Sequence, residues 1–152
     1  MKHASDLYLR PVTAEDMRLI YDWANDSETR KNAFNIEHIK FEDHREWFCK
    51  KLSDPNCYFY IFMQGSRPVG QIRVDVDKTE GYIDYSIASE YRAQGYGRLM
   101  LAELEKVIKT DKLPIKNLVA EVKPDNVASQ KKFEEADYEK TELIRYKKNV
   151  RQ

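Results

Sequence analysis

The sequence predicts an α/β domain of the α+β layered kind, built on a mixed sheet, and three observations carry that expectation. Three consecutive strand patterns separated by turn residues occupy the middle of the chain, from Cys57 to Ala88. Two helical patterns with apolar faces lie before them. After them helix and strand alternate to the C-terminus, giving the order β-α-α-β-β-β-α-β-α-β. A meander supplies antiparallel pairs, and the alternating part makes the sheet mixed.

The elements follow in order. Leu7 to Arg10 reads as a short strand. Thr13-Ala14-Glu15-Asp16 matches a capping box that opens a helix, whose buried face is Met17, Ile20, Trp23 and Ala24. Asn25 and Asp26 mark its end, and Thr29 to Lys40 reads as polar and irregular. A second helix runs from about Glu42 to Leu52 and carries Trp47 and Phe48 on its apolar side; Asp54-Pro55-Asn56 stops it. Cys57 to Gln64 and Val69 to Val76 form a hairpin around Gly65-Ser66-Arg67-Pro68. Tyr82 to Ala88 is the third strand. A helix from about Gly97 to Lys109 has an apolar stripe that includes Leu101, Leu104 and Ile108. Leu118 to Val122 is a strand, Val127 to Glu135 a helix, and Tyr138 to Tyr146 closes the chain as one strand or two.

Bulk composition narrows the function class. A length of 152 residues suits one domain, 1–152, and 41% hydrophobic with 34% charged residues reads as globular. Twenty-six basic residues balance 26 acidic ones, so no global field draws the chain to nucleic acid. Cys49 and Cys57 read as reduced thiols. The start, Met1 to Asp6, has no apolar core of a secretion signal, and the longest apolar run, Tyr58 to Met63, is too short to span a bilayer. The expectation is a cytoplasmic protein with no membrane partner.

The segment that carries chemistry runs from Tyr82 to Gly97 and ends Arg92-Ala93-Gln94-Gly95-Tyr96-Gly97. Two of the chain's five glycines stand here, at the entrance to a helix. Glycine admits a ligand close to the backbone, and the N–H groups and dipole of the helix start favour an anion. A nucleotide P-loop would need Gly-Lys-Ser/Thr, which is absent, and Met100 stands where a dinucleotide fingerprint would need its third glycine.

What remains, Arg-x-x-Gly-x-Gly, resembles the coenzyme A pyrophosphate loop of the GNAT superfamily of N-acetyltransferases. Further features share the resemblance. Glu121-Val122-Lys123-Pro124-Asp125-Asn126 ends the next strand, followed by Ser129, Phe133 and Tyr138, and the chain opens with Leu9-Arg10-Pro11 before a capped helix. The resemblance implies a sheet that splays between the Tyr82–Ala88 and Leu118–Val122 strands, with acetyl-CoA as cosubstrate and no metal. Pantetheine would lie along Ile87 and Ala88. Arg92, Ala93, Gln94, Gly95, Tyr96 and Gly97 would hold the pyrophosphate, and Asn126 and Ser129 would meet the pantetheine arm. Asn126 also suits an N-cap, and the two roles are compatible. Arg98, Lys131 and Lys132 are either 3′-phosphate contacts or solvated helix charge.

Acetyl transfer to an amine needs a base, an oxyanion donor and a tolerable leaving group. The oxyanion donor implied is a backbone N–H near Ile87. Glu121 is the first candidate base, because it matches a catalytic Glu of some protein N-terminal acetylating members. A carboxylate beside a partly dry cleft serves better as a base near neutrality. Asp84 is the second, because Asp is disfavoured in mid-strand and implies a job or a buried partner. The sequence departs from the family at Phe133, where many members have the Tyr that protonates the leaving thiolate. A thiolate with a conjugate-acid pKa of about 8.5 leaves tolerably without help. Tyr85, Tyr138 and Tyr146 remain as substitute hydroxyls. The segment Tyr21 to Asn35 looks like members that acetylate amino-sugar nucleotides, with Arg30, Lys31, Trp23, Phe34 and Trp47 as candidate contacts. A protein N-terminus or another small amine is the alternative acceptor. A coenzyme A-binding module without transfer activity is the alternative class.

Overall fold

A computed structural model describes residues 6–142 and 144–151. Met1–Ser5, on which the absence of a secretion signal was read, lie outside the described residues, as do Leu143 and Gln152. Seven strands form one open sheet: β1 (Leu7–Pro11), β2 (Cys57–Gln64), β3 (Arg67–Asp77), β4 (Glu80–Ile87), β5 (Asn117–Glu121), β6 (Glu139–Lys140) and β7 (Arg145–Asn149). Their spatial order is β1-β2-β3-β4-β5-β7-β6. Every neighbouring pair is antiparallel except β4 and β5. The C-terminal segment is thus two strands, and the sheet is mixed and mostly antiparallel as expected.

The apolar run in β2 explains the layering. Phe59, Ile61 and Met63 join one buried cluster, and Tyr60 and Phe62 join the other. Alternate side chains leave a strand on opposite faces, so β2 is covered on both sides. One face is roofed by α1 (Met17–Ala24) and α3 (Phe41–Ser53), which contribute Ile20 and Phe48. The other face is covered by α4 (Tyr96–Thr110) with Met100, Leu101, Leu104 and Ile108, and by Phe133 of α5 (Val127–Glu135). A fully buried Phe or Ile contributes about 1.5–3 kcal/mol, so this two-sided burial holds the sheet centre.

Two helix starts differ from the sequence expectation. The Thr13 capping box is present, but it opens a 3₁₀ turn, Ala14–Asp16, before α1 begins at Met17. Asp16 is nearly buried, accepts from the Thr13 N–H at 2.8 Å, and receives both terminal nitrogens of Arg10 at 2.8 and 2.9 Å. The stretch expected to be irregular contains a short helix, α2 (Ser27–Asn32). It has no buried residue, so apolar periodicity could not reveal it. Its N-cap is Asp26, whose carboxylate accepts from the Thr29 N–H at 3.1 Å.

The sheet parts where the resemblance implied. β4 pairs with β5 only from Glu80↔Asn117 to Ile83↔Ala120, while β4 continues to Ile87 against β3. Among the described residues no helix is long and apolar enough to cross a membrane, and no group of three His, Cys, Asp or Glu side chains is placed to hold a metal.

The Arg10–Asp16–Thr13 knot ties β1 to α1, so Asp16→Ala is expected to lower stability by about 1–2 kcal/mol, the usual worth of a lost cap. Urea unfolding checks this. A change within experimental error would show that the knot is only decorative.

Candidate functional site

The parting of β4 from β5 opens a cavity of about 440 Å³. Its walls are the free edge of β4 (Ile83–Ile87), the end of β5 (Ala120, Glu121), the start of α5 and residues of α2. Ala88 donates its N–H to the Val69 carbonyl at 2.9 Å. In an antiparallel pair alternate residues point their amides to opposite sides. The N–H groups of Tyr85 and Ile87 therefore face the cleft, whereas that of Ala88 is committed to β3. The Ile87 carbonyl accepts from Arg92 Nε at 3.1 Å.

One end of the cavity meets the loop before α4. Ala93 and Gly95 both adopt left-handed backbone, with φ of 60° and 84°. This turns the chain so that Gly95 is the N-cap of α4, with no side-chain cap on the helix. A Cβ on Gly95 would meet nothing within 4 Å, so the space over it is open. The first-turn N–H groups of Gly97 and Arg98 have no acceptor within the helix. Lys132 reaches over the same turn: its Nζ would stand 3.2 Å from a Cβ on Gly97. Burial lowers the Lys132 pKa, with Glu28 acting against that shift and Arg92 with it. Among the described residues no carboxylate lies within ion-pair distance of it. A partly buried ammonium beside a guanidinium and a helix N-terminus is a place that an anion would relieve.

The two candidate bases have like settings. Asp84 stands directly opposite Arg73 in the β3–β4 register and accepts from its Nη1 at 3.1 Å. Glu121 stands directly opposite Arg145 in the β5–β7 register and accepts from its Nη2 at 3.3 Å. Both line the cavity and both are exposed. Arg73 is the partner that a mid-strand Asp requires. The dry setting expected for Glu121 is instead a solvated ion pair.

Asn126 caps α5, accepting from the Ser129 N–H at 3.2 Å while its Nδ2 donates to Ser129 Oγ at 3.1 Å. Ser129 Oγ lies 2.7 Å from the Tyr85 hydroxyl, so one hydrogen bond crosses the split from β4 to α5. Among the acceptor candidates, Trp47 lines the cavity with Arg73 stacked on its face at 4.9 Å. Arg30 lines it too, but its guanidinium donates to the carbonyls of Ala24, Asn35 and Glu37. Phe34 is exposed just past the cavity-lining Ala33.

The sequence model of an acetyltransferase (GNAT) domain family matches residues 6–139. The chain belongs to the GNAT acetyltransferase family. Solved structures of similar fold agree with this GNAT architecture. A domain from Methanocaldococcus jannaschii superposes with a TM-score of 0.81 at 23% identity, covering 94% of this chain and 97% of that one. Spermidine N-acetyltransferase from Vibrio cholerae, solved with CoA and spermine, gives 0.86 at 16% identity and covers 96% of each chain. The aminoglycoside acetyltransferase AAC(6')-Ib, solved with ribostamycin and coenzyme A, gives 0.80 at 18% identity, covering 95% and 93%. No curated protein matches the sequence.

In this GNAT domain Asp84, Ile87, Arg92, Ala93, Glu121, Asn126 and Ser129 come together around the cavity. Gly95, Tyr96 and Gly97 form the adjoining turn, and Gln94 donates back to the Glu90 carbonyl at 3.1 Å. Sequence reasoning missed the role of the Arg92 side chain. It donates to Asp26 Oδ2 at 2.6 Å and to Thr29 Oγ1 at 3.2 Å, and pairs with Glu28 at 3.2 Å. Lys123 Nζ donates to the Lys31 carbonyl at 3.1 Å from the other side of the split. Helix α2 is therefore strapped across the cleft by one side chain from each diverging side, Arg92 and Lys123. The signal available was Asp26-x-x-Thr29, a cap pattern hidden among polar residues.

Because α2 buries nothing, Arg92→Ala is expected to raise amide exchange from Thr29 to Asn32 about tenfold, with little change in global stability. Burial alone would raise the Asp26 carboxyl, but the Arg92 and Thr29 hydrogen bonds outweigh it and hold the carboxyl below its ordinary value. The strap should therefore be intact above about pH 4 and loosen only as the pH falls through that lowered value. Exchange measured by NMR at several pH values checks both points. Unchanged protection in the variant would contradict them.

Proposed function

We propose that this protein transfers acetyl from acetyl-CoA directly to a primary amine. The observation that carries the reading is the parting of β4 from β5, which leaves a strand edge and an open anion cradle on one cavity. The cleft-facing amide of Tyr85 offers the pantetheine arm the kind of pairing that an added strand would make. The turn Gly95-Tyr96-Gly97 and the start of α4 suit the pyrophosphate, with Lys132 supplying the compensating charge. The Ile87 N–H is the oxyanion donor in this reading. Ala88 serves through its position in the strand rather than through its amide, and Arg92 acts by holding the loop and α2.

Glu121 takes one proton from the incoming ammonium and so frees the lone pair that attacks, with Asp84 as the second base; water links either to the nitrogen. The acceptor proposed is an amino sugar carried on a nucleotide. Its support is the resemblance in the segment from Tyr21 to Asn35, together with Trp47 and Arg73 as a wall able to stack a ring and meet an anion. A second reading, another small amine such as a polyamine, has its own support: Glu28, Asp84 and Glu121 line the cavity and, although each is paired with an arginine, keep oxygens able to accept from an ammonium. The similar structures were solved with spermine and with ribostamycin.

A panel of amino-sugar nucleotides, polyamines, aminoglycosides and short peptides, each with acetyl-CoA, tests the acceptor. Preference for the nucleotide-linked sugars is the expected result. Preference for polyamines would select the second reading, and no transfer to any amine would remove both. Glu121→Gln is expected to lower turnover at neutral pH by about 10²-fold and to recover in part at high pH, where the amine deprotonates unaided. An unaltered pH–rate profile would move the role to Asp84.

A further inference from the structure

Phe133 leaves the departing thiolate without the family's usual proton donor, and the structure distinguishes the three candidate hydroxyls, those of Tyr85, Tyr138 and Tyr146. Tyr138 and Tyr146 are buried in the core, 4% and 1% exposed, and neither lines the cavity. The Tyr146 hydroxyl is turned toward Gln130 at 3.4 Å. Tyr85 does line the cavity, and its ring stands edge-on to Phe133 with centroids 5.7 Å apart. Its hydroxyl lies 2.7 Å from the Oγ of Ser129, another residue that lines the cavity, on a ring packed against Phe133.

We propose that Tyr85 is the general acid of this enzyme, giving its phenolic proton to the sulfur of the departing thiolate and recovering it through Ser129. The proposal rests on the acetyl-CoA reading of the same cleft. The hydrogen-bond chain supports it. Asn126 Oδ1 accepts from the Ser129 N–H, which fixes the amide so that Nδ2 donates to Ser129 Oγ. Ser129 Oγ keeps one proton and one lone pair for Tyr85 Oη, 2.7 Å away, so this hydrogen bond can run in either direction. When Ser129 donates, the phenol's own O–H is free for the sulfur; when the phenol has lost its proton, Ser129 is in place to return one.

The step balances. The amine, already relieved of one proton by the base, bonds through nitrogen to the thioester carbon, and the second proton it sheds passes to water in the cleft. The tetrahedral oxyanion collapses, the C–S bond breaks, and its electron pair stays on sulfur. The Tyr85 proton forms the thiol. The Ser129 proton passes to the phenolate, and water restores the serine hydroxyl. Burial raises the Tyr85 pKa, opposed by the Ser129 hydrogen bond and assisted by Asp84. A raised phenol keeps its proton at neutrality, so the acid is present below that pKa and is lost as the pH rises through it.

Two replacements test this. Tyr85→Phe is expected to lower kcat about 10–100-fold and to abolish the decline of kcat at high pH, with acetyl-CoA affinity by calorimetry within about twofold of wild type. Fluorotyrosine installed in place of Tyr85 preserves packing and acidifies the phenol, so the high-pH decline should move to lower pH. Its fluorine NMR signal should shift on adding coenzyme A and not on adding desulfo-coenzyme A, a readout independent of turnover. An unmoved decline, a Tyr85→Phe enzyme with full kcat, or equal fluorine shifts with both ligands would overturn the assignment. Failure of the wild-type chain to bind acetyl-CoA would instead remove the underlying reading of the cleft.

Discussion

The arrangement depends on how two parallel strands are allowed to separate. β4 and β5 share only four residue pairs, and beyond Ile83 and Ala120 each is held from its outer side, β4 by β3 and β5 by β7. The unpaired amides at the split would be a liability in a closed sheet, because buried backbone donors need partners. Here they line a cavity into which a ligand or water can supply those partners. Gly70 and Gly81 help to hold β4 close on its paired length: a Cβ on Gly70 would meet the Ser86 carbonyl at 2.7 Å, and one on Gly81 would meet Val74 at 2.7 Å.

Electrostatics then divides the cavity. Positive charge collects at the α4 end, where Lys132 and the uncapped helix start face the open space over Gly95. At the other end the carboxylates of Asp84 and Glu121 are each opposed by an arginine on the neighbouring strand. In a chain of zero formal net charge the cavity thus has one end with unpaired positive charge and another where acids and bases are matched. Helix α2 is strapped by Arg92 and Lys123, so the loop before α4 also fixes one wall of the cavity.

Much of this was legible in the sequence because it rests on local rules. The apolar run of β2, the turns that bound β2, β3 and β4, the Thr13–Asp16 box, the glycine turn before α4 and the Asn126 cap each depend on residues close in sequence. What was not legible depends on pairing at a distance. Nothing local shows that Asp84 faces Arg73, that Glu121 faces Arg145, or that Arg92 reaches 66 residues back to Asp26. Helix α2 escaped notice because its stability comes from a cap and an ion pair rather than from an apolar face. The Tyr85–Ser129 contact joins residues 44 apart, and three tyrosines looked equal until the cavity separated them. Asp137, just past the end of α5, has a left-handed backbone with φ of 67°, a conformation that Asp tolerates better than most residues and that no apolar pattern signals.

The central claim is that the split between β4 and β5 is a coenzyme A site. Titrating acetyl-CoA into the purified protein by calorimetry tests it most directly. Saturable binding at about one site per chain is the predicted result. An absence of binding would contradict the claim and reduce the Gly95 turn to an ordinary helix start.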